Sequence, residues 1–189
     1  LNYDFKSKYF VELTGAVVRS PKMPENNRIA FSPAASLGWR ISEEDFLKGS
    51  SVINDLTLTA SAGILHTDLD FDEYFAYESI YTATGGNWYG WNDGTGTQST
   101  DSRRGTNNDL TIARREEISL GIKGAMFNNS IAFGANVFGN KMTGIISQIN
   151  VLYPNYFTTN FPSSSFVPFS NYNSDQRTGL DFYLNYCQP

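Results

Sequence analysis

Charge is scarce in this sequence. Asp, Glu, Lys and Arg make up 17% of its 189 residues, well below the roughly 25% of an average soluble domain. Aromatic residues reach 15%, with 11 Tyr and 14 Phe. A chain of that composition must place much of its surface against something other than water. Long apolar runs are missing too. No stretch approaches ~20 consecutive apolar residues, which excludes a membrane-crossing helix. The single cysteine, Cys187, rules out a disulfide framework or a cysteine metal cluster within the chain. The single histidine, His66, rules out a histidine triad and a two-histidine metal site. A net charge of −5 with no basic run argues against a nucleic-acid partner. A β-barrel is the remaining way to satisfy every backbone N–H and C=O inside lipid.

What is present is period-two alternation, the mark of strands with two unlike faces. It predicts six strands. The first carries Tyr9, Val11, Leu13, Gly15 and Val17 on one face, and the second Ala35, Leu37, Trp39 and Ile41. The third, Leu56 to Ile64, alternates with Thr57, Thr59, Ser61 and Gly63. The fourth runs through Ile118 to Met126, the fifth through Ile131 to Val137, and the sixth through Leu180 to Tyr186. Several reach the ~9–11 residues that a membrane strand needs.

The connections alternate in length. Lys6-Ser7-Lys8 and Asn128-Asn129-Ser130 read as tight turns. Ser42–Asn54 reads as a connection holding one helical turn, capped by Ser42, with Glu43, Glu44 and Asp45 at its positive end. On the other side lie Ser20–Arg28, His66–Asp109 and Gln148–Ser174. Short turns on one side and long loops on the other is the asymmetry of outer-membrane barrels, whose long loops are extracellular. The first, third and fifth strands then run outward. A soluble sandwich would alternate in the same way, but strand length, loop asymmetry and low charge favour the membrane wall. Trp39, Tyr9, Tyr186 and Phe127 fall near strand ends, where an interfacial aromatic girdle sits. Leu1 opens the chain mid-pattern without Met or signal peptide, and Tyr186-Cys187-Gln188-Pro189 stops inside a strand-like pattern; both ends are expected to be cut.

The segment Phe31-Ser32-Pro33-Ala34-Ala35-Ser36-Leu37-Gly38-Trp39-Arg40-Ile41-Ser42-Glu43-Glu44-Asp45-Phe46 resembles a signature of the SusC/RagA family, TonB-linked outer-membrane proteins of Bacteroidetes. Ile53 to Gly63 looks like that family's next strand, with threonines for its usual basic residues and Ala62 for an aromatic. Weaker matches are Lys8-Tyr9, Phe127-Asn128-Asn129, Gly179-Leu180-Asp181-Phe182 and Asn185-Tyr186. After Arg19 the chain departs, with Ser20-Pro21-Lys22-Met23-Pro24 in place of Asp-Gly-Ser-Ser. The resemblance implies an all-β, antiparallel transmembrane barrel of 22 strands, of which residues 1–189 supply about six as part of one barrel domain. It also implies an N-terminal plug outside this chain, through which TonB acts, and a SusD-like surface lipoprotein partner. Such pairs import glycans or peptides across the outer membrane of a Gram-negative bacterium. No enzyme activity and no cofactor are implied.

The candidate ligand residues are Trp88, Tyr89, Trp91 and Asn92, in the stretch Thr84 to Gly94. Indole faces can stack on sugar rings while amides bond hydroxyls; the same aromatics could instead pack on neighbouring loops or a partner. Gly85-Gly86 lacks the strand-to-helix context of a phosphate loop. Asp68, Asp70 and Asp72 are weak metal candidates: a calcium loop needs Gly at its sixth position, where this sequence has Glu73. They read better as a solvated upper wall. Arg103-Arg104 and Arg114-Arg115-Glu116-Glu117 are expected to pair charges at the rim or lumen. Two alternatives follow from the same residues: a secreted β-sandwich binding carbohydrate through Trp88 and Trp91, or a non-transporting barrel or adhesin.

Overall fold

The computed structural model describes residues 1–82, 88–158 and 165–186; Thr84, Gly85, Gly86, Asn87 and Cys187 lie outside them. The strands are β1 (Asn2–Phe5), β2 (Tyr9–Arg19), β3 (Ile29–Arg40), β4 (Ile53–Thr67), β5 (Ile80–Thr82), β6 (Trp88–Gly90), β7 (Gly96–Gln98), β8 (Asp101–Arg104), β9 (Ala113–Met126), β10 (Ile131–Gln148) and β11 (Phe169–Tyr186). Seven form one antiparallel sheet in the order β1-β2-β3-β4-β9-β10-β11. The two small ribbons, β5–β8 and β6–β7, are both inserted between β4 and β9.

Seven wall strands replace the six expected. The extra one, β1, is four residues long, too short for alternation to reveal. The expected helical turn begins earlier, as a 3-10 turn over Ile41–Glu43 with Ser42 inside it and not capping it; Ser42 Oγ donates to Asp55 Oδ1 at 3.2 Å. β3 begins six residues before Ala35, running through Pro33. Proline has no N–H to give a ladder, and here the ladder to β4 stops at Ala34↔Gly63. Above that pair Ser32 Oγ takes its place, accepting from the His66 backbone N–H at 3.0 Å.

Register sorts the residues into two faces. One row runs Val11–Leu37–Ala60–Leu120–Val137–Leu180 across six strands. This face is apolar yet uncovered: Val17 is 70% exposed, Leu180 75% and Phe182 87%. The opposite face is mostly polar or small, with a row Glu12–Ser36–Ser61–Ser119 and another Thr59–Gly121–Asn136–Asp181, interrupted by the rings of Phe10, Phe138 and Tyr183.

The apolar band crosses the strands obliquely. On β2 it continues from Val11 up to Val17, while on β11 it starts at Leu180, in Val11's row. That offset of three outward positions is ~20 Å over the ~24 Å spanned by five strand steps, a slope of about 40°. The turn side steps the same way: Tyr186's row runs through Ile131, Met126 and Ile53 and lies beyond Arg40↔Thr57, the last β3–β4 pair.

Several glycines are covered by the aromatic ring directly across the ladder. Tyr183 lies over Gly134 and Phe138 over Gly179, so close that a Cβ at Gly179 would stand 2.5 Å from Phe138 Cζ. Phe10 lies beside Gly38 in the same relation. Such pairing fills the surface a glycine leaves bare.

At the turn end of the apolar face, Tyr9 and Trp39 stack with ring centroids 6.4 Å apart. Glu44 ties them together, accepting from Tyr9 Oη at 2.7 Å, Trp39 Nε1 at 3.1 Å and Lys8 Nζ at 3.0 Å. These donors hold the Glu44 carboxyl down to about 2, the Tyr9 hydroxyl contributing most, followed by Lys8 and Trp39. A depressed carboxyl stabilises the fold fully above its ordinary value of 4.5 and loses that contribution as pH falls toward about 2. Trp39 fluorescence is therefore expected to hold steady from neutral pH down to the ordinary carboxylate range and to change only below it. Glu44→Gln should remove that acid transition.

Candidate functional site

The wall's polar face carries the first candidate surface. Its side chains are short because alternate positions of β3, β4 and β9 hold Ser, Thr, Ala and Gly, which leaves a groove of about 530 Å³ along them. Glu12, Arg115 and Glu117 line it. Ser61 Oγ and Ser119 Oγ share a hydrogen bond at 2.8 Å, and Ser36 Oγ donates to Glu12 Oε2 at 3.4 Å. Arg115 pairs with Glu117 at 3.2 Å on this face, and Arg114 pairs with Glu116 on the other. The expected charge pairing is thus present on both sides of β9.

Above the wall, the long connections form one packed cap. Its centre is the only buried apolar cluster among the described residues: Met23, Ala76, Leu110 and Ile112, with Phe71, Tyr77, Ile146 and Phe169 against it. The stretch that departs from the family pattern belongs here. Ser20 and Met23 are buried, Ser20 Oγ donates to Asp68 Oδ2 at 2.5 Å, and Lys22 Nζ donates to the Asp68 carbonyl at 3.2 Å. Asp68 is therefore a cap residue, while Asp70 and Asp72 point to solvent. Among the described residues no group of three metal-ligating side chains converges.

Arg104 is not at the rim. It is 4% exposed and ties the cap from within: Nε donates to Glu78 O at 3.0 Å, Nη2 to Phe75 O at 2.8 Å, and Nη1 pairs with Glu73. Its guanidinium also lies 5.5 Å from the Phe169 ring centroid. Residues 165–171 lock onto the same unit. Ser102 Oγ donates to Ser165 O at 3.0 Å, Asn107 Nδ2 to Phe169 O at 2.8 Å, and Asn171 Nδ2 to Thr111 O at 2.8 Å. Sequence pattern missed these residues because single polar positions in long loops carry no periodicity; the Arg103-Arg104 pair was the one visible signal.

From this cap projects the β6–β7 ribbon with Trp88, Tyr89, Trp91 and Asn92. Its turn is closed by Trp91 N–H to Thr95 O at 2.7 Å and by Asp93 Oδ1, which accepts from Thr95 N–H at 2.9 Å and Thr95 Oγ1 at 2.6 Å. Those bonds hold the Asp93 carboxyl below its ordinary range, the Thr95 hydroxyl most of all. The aromatics remain open: Trp88 is 70% exposed, Tyr89 56% and Trp91 61%, and Asn92 is exposed beside them. The ribbon brings the four expected residues to one exposed tip.

With this geometry in view, known proteins place the chain. No family model matches it. The TonB-dependent receptor P26 of Formosa agariphila is 24% identical over 189 residues, 98% of this chain and 17% of that protein. The TonB-dependent receptor SusC of Bacteroides thetaiotaomicron is 25% identical over 186 residues, again 98% of the chain and 18% of the relative. The chain is similar to a segment of a TonB-dependent receptor. Among solved structures, the RagAB peptide importer in its closed-closed state superposes with a TM-score of 0.75 at 18% identity, over 97% of this chain and 18% of that one. That likeness carries the fold: an all-β wall matching a TonB-dependent receptor barrel. The chain spans less than a fifth of the length of these relatives. Those proteins are receptors and importers, and 97% of this chain superposes on 18% of the RagAB importer chain.

Proposed function

We propose that this chain is wall and extracellular cap of an outer-membrane nutrient importer of the SusC/RagA kind, energised through TonB and working with a surface lipoprotein. The oblique apolar band carries this reading. Strands in an outer-membrane barrel tilt by about 35–45°, so a bilayer of constant thickness marks each strand at a different register. A slope of about 40° is what that tilt writes onto a wall. A sandwich would bury its apolar face under a second sheet, whereas Leu184 and Phe182 stand 71% and 87% exposed.

The polar face then lines the lumen and the aromatic tip meets the cargo, a glycan or a peptide. Both offer flat or apolar surfaces for Trp88 and Trp91 with polar groups for Asn92. The complete protein carrying this chain is expected in the outer-membrane fraction, soluble only with detergent and heat-modifiable in its migration. Recovery as a water-soluble monomer would falsify the reading. In cells, Trp88→Ala with Trp91→Ala should lower uptake about tenfold or more, from ~1.5 kcal/mol for losing aromatic contacts, while leaving the barrel's migration unchanged.

A further inference from the structure

The polar face carries another groove, of about 270 Å³, where β9, β10 and β11 run side by side. Its floor is two glycines on one diagonal of the β9–β10 ladder: Gly121 stands opposite Asn136, and Gly134 opposite Lys123. A side chain at either position would fill it. A Cβ at Gly121 would stand 2.8 Å from Thr59 Oγ1 and 3.3 Å from Asn136 Oδ1, and one at Gly134 would run into the Tyr183 ring. A hydroxyl, an amide and an aromatic ring thus converge over two positions that have no side chain of their own.

Lys123 and Asp181 line the same groove from opposite corners. Register puts them two strands apart and one same-face position apart, ~12 Å between backbones, with Asn136 directly across the ladder from Asp181. Among the described residues, none of Lys123, Asn136 and Asp181 takes part in a side-chain hydrogen bond or ion pair. Thr59 Oγ1 donates to the Gly121 carbonyl at 3.4 Å. Tyr183 is 50% exposed, so the side of its ring turned away from Gly134 is open.

Resting on the importer reading, and choosing between its two cargoes, we propose that this groove is a subsite for one pyranose ring of a glycan, stacked on Tyr183 and held by Lys123, Asn136, Asp181 and Thr59. Stacking needs an aromatic face with space in front of it. A hydroxyl both donates and accepts, so a ring of hydroxyls can satisfy an ammonium, an amide and a carboxylate together. A peptide sets out its donors and acceptors along one line rather than around a ring, and it meets the open Tyr183 face only where it carries an apolar side chain. The groove is smaller than the roughly 300–1,000 Å³ of a drug-sized site, which suits a single unit of a longer sugar chain.

The test is calorimetric titration of the complete detergent-extracted protein with hexasaccharides of glucose, mannose, galactose and xylose, and with a Gly-Ser hexapeptide. It is done in the Trp88→Ala/Trp91→Ala background, which silences the tip. At least one hexasaccharide is expected to bind, and adding Tyr183→Ala should weaken that binding about tenfold. Tyr183→Phe, which keeps the ring, should restore it. Gly134→Ala keeps every binding group but displaces the ring, so it should weaken binding as Tyr183→Ala does. No hexasaccharide binding in the tip background, undiminished binding after Tyr183→Ala, or equal binding of the hexapeptide would each overturn the proposal. Membrane fractionation and heat-modifiable migration of the same preparations test the barrel separately, so a failed subsite is distinguishable from a failed wall.

Discussion

Replacing Leu13 with arginine should destabilise the barrel by about 2–4 kcal/mol, whereas the same change at Thr14 should be nearly silent. The two residues are neighbours in β2 and both are exposed, Leu13 by 48%. What separates them is the face. Leu13 lies midway along the apolar run from Tyr9 to Val17, opposite Ala35, at the depth where a guanidinium has neither water nor a partner. Thr14 faces the groove that Glu12 and Glu117 line, and an arginine there meets carboxylates and solvent. Folding into liposomes or detergent micelles, followed by urea titration, measures both variants. Equal costs at the two positions would mean that the faces have been assigned wrongly. A larger cost at Thr14 would mean that they are reversed.

The second large effect is expected at Arg104. Arg104→Met keeps much of the side chain's length and apolar stem but removes every donor. The Glu78 and Phe75 carbonyls and the Glu73 carboxylate all lose their partner at once. Leaving such acceptors without donors costs about 1–3 kcal/mol each when buried; Glu73 is 56% exposed on its side chain and can turn to water, so the two carbonyls dominate. A total of roughly 2–4 kcal/mol falls on the cap, not on the wall. The variant should keep its heat-modifiable migration while limited proteolysis cuts within residues 66–112 much faster than in the wild type. Arg104→Lys, which keeps a charge but not the guanidinium fork, should lie between them. Unchanged protection in Arg104→Met would show that the apolar cluster around Met23 and Leu110 holds the cap unaided.

The wall was readable in the sequence and the cap was not, for a physical reason. A strand between lipid and a polar lumen has two solvents, so Leu56 to Ile64 writes the alternation of its environment residue by residue. The upper halves of β10 and β11 have similar surroundings on both faces. Asn171 and Asn173 therefore read as part of the Gln148–Ser174 loop, although both lie in a strand paired with β10. Pro33 hid the start of β3 in a different way, since its missing N–H is tolerated only because the β4 ladder ends beside it. Arg104 could not be ranked above Arg103 from sequence, because its burial in the cap is decided by contacts to residues far back along the chain, the carbonyls of Phe75 and Glu78. The tip residues were nameable as a composition of Trp, Tyr and Asn. Their display on a two-stranded ribbon depends on Gly94 taking a positive φ of 83° and on the Asp93–Thr95 turn.

The rings laid across Gly134, Gly179 and Gly38 set the height of the polar face. A Tyr or Phe on a crowded strand stands away from the sheet and narrows the space in front of it. Tyr183, Phe138 and Phe10 instead lie down over a neighbour that has no side chain of its own, so their bulk is spent sideways. Where such a ring covers a glycine, the surface stands lower than an upright ring would leave it. A Cβ at Gly134 or Gly179 would meet the ring of Tyr183 or Phe138 and lift it away from the sheet.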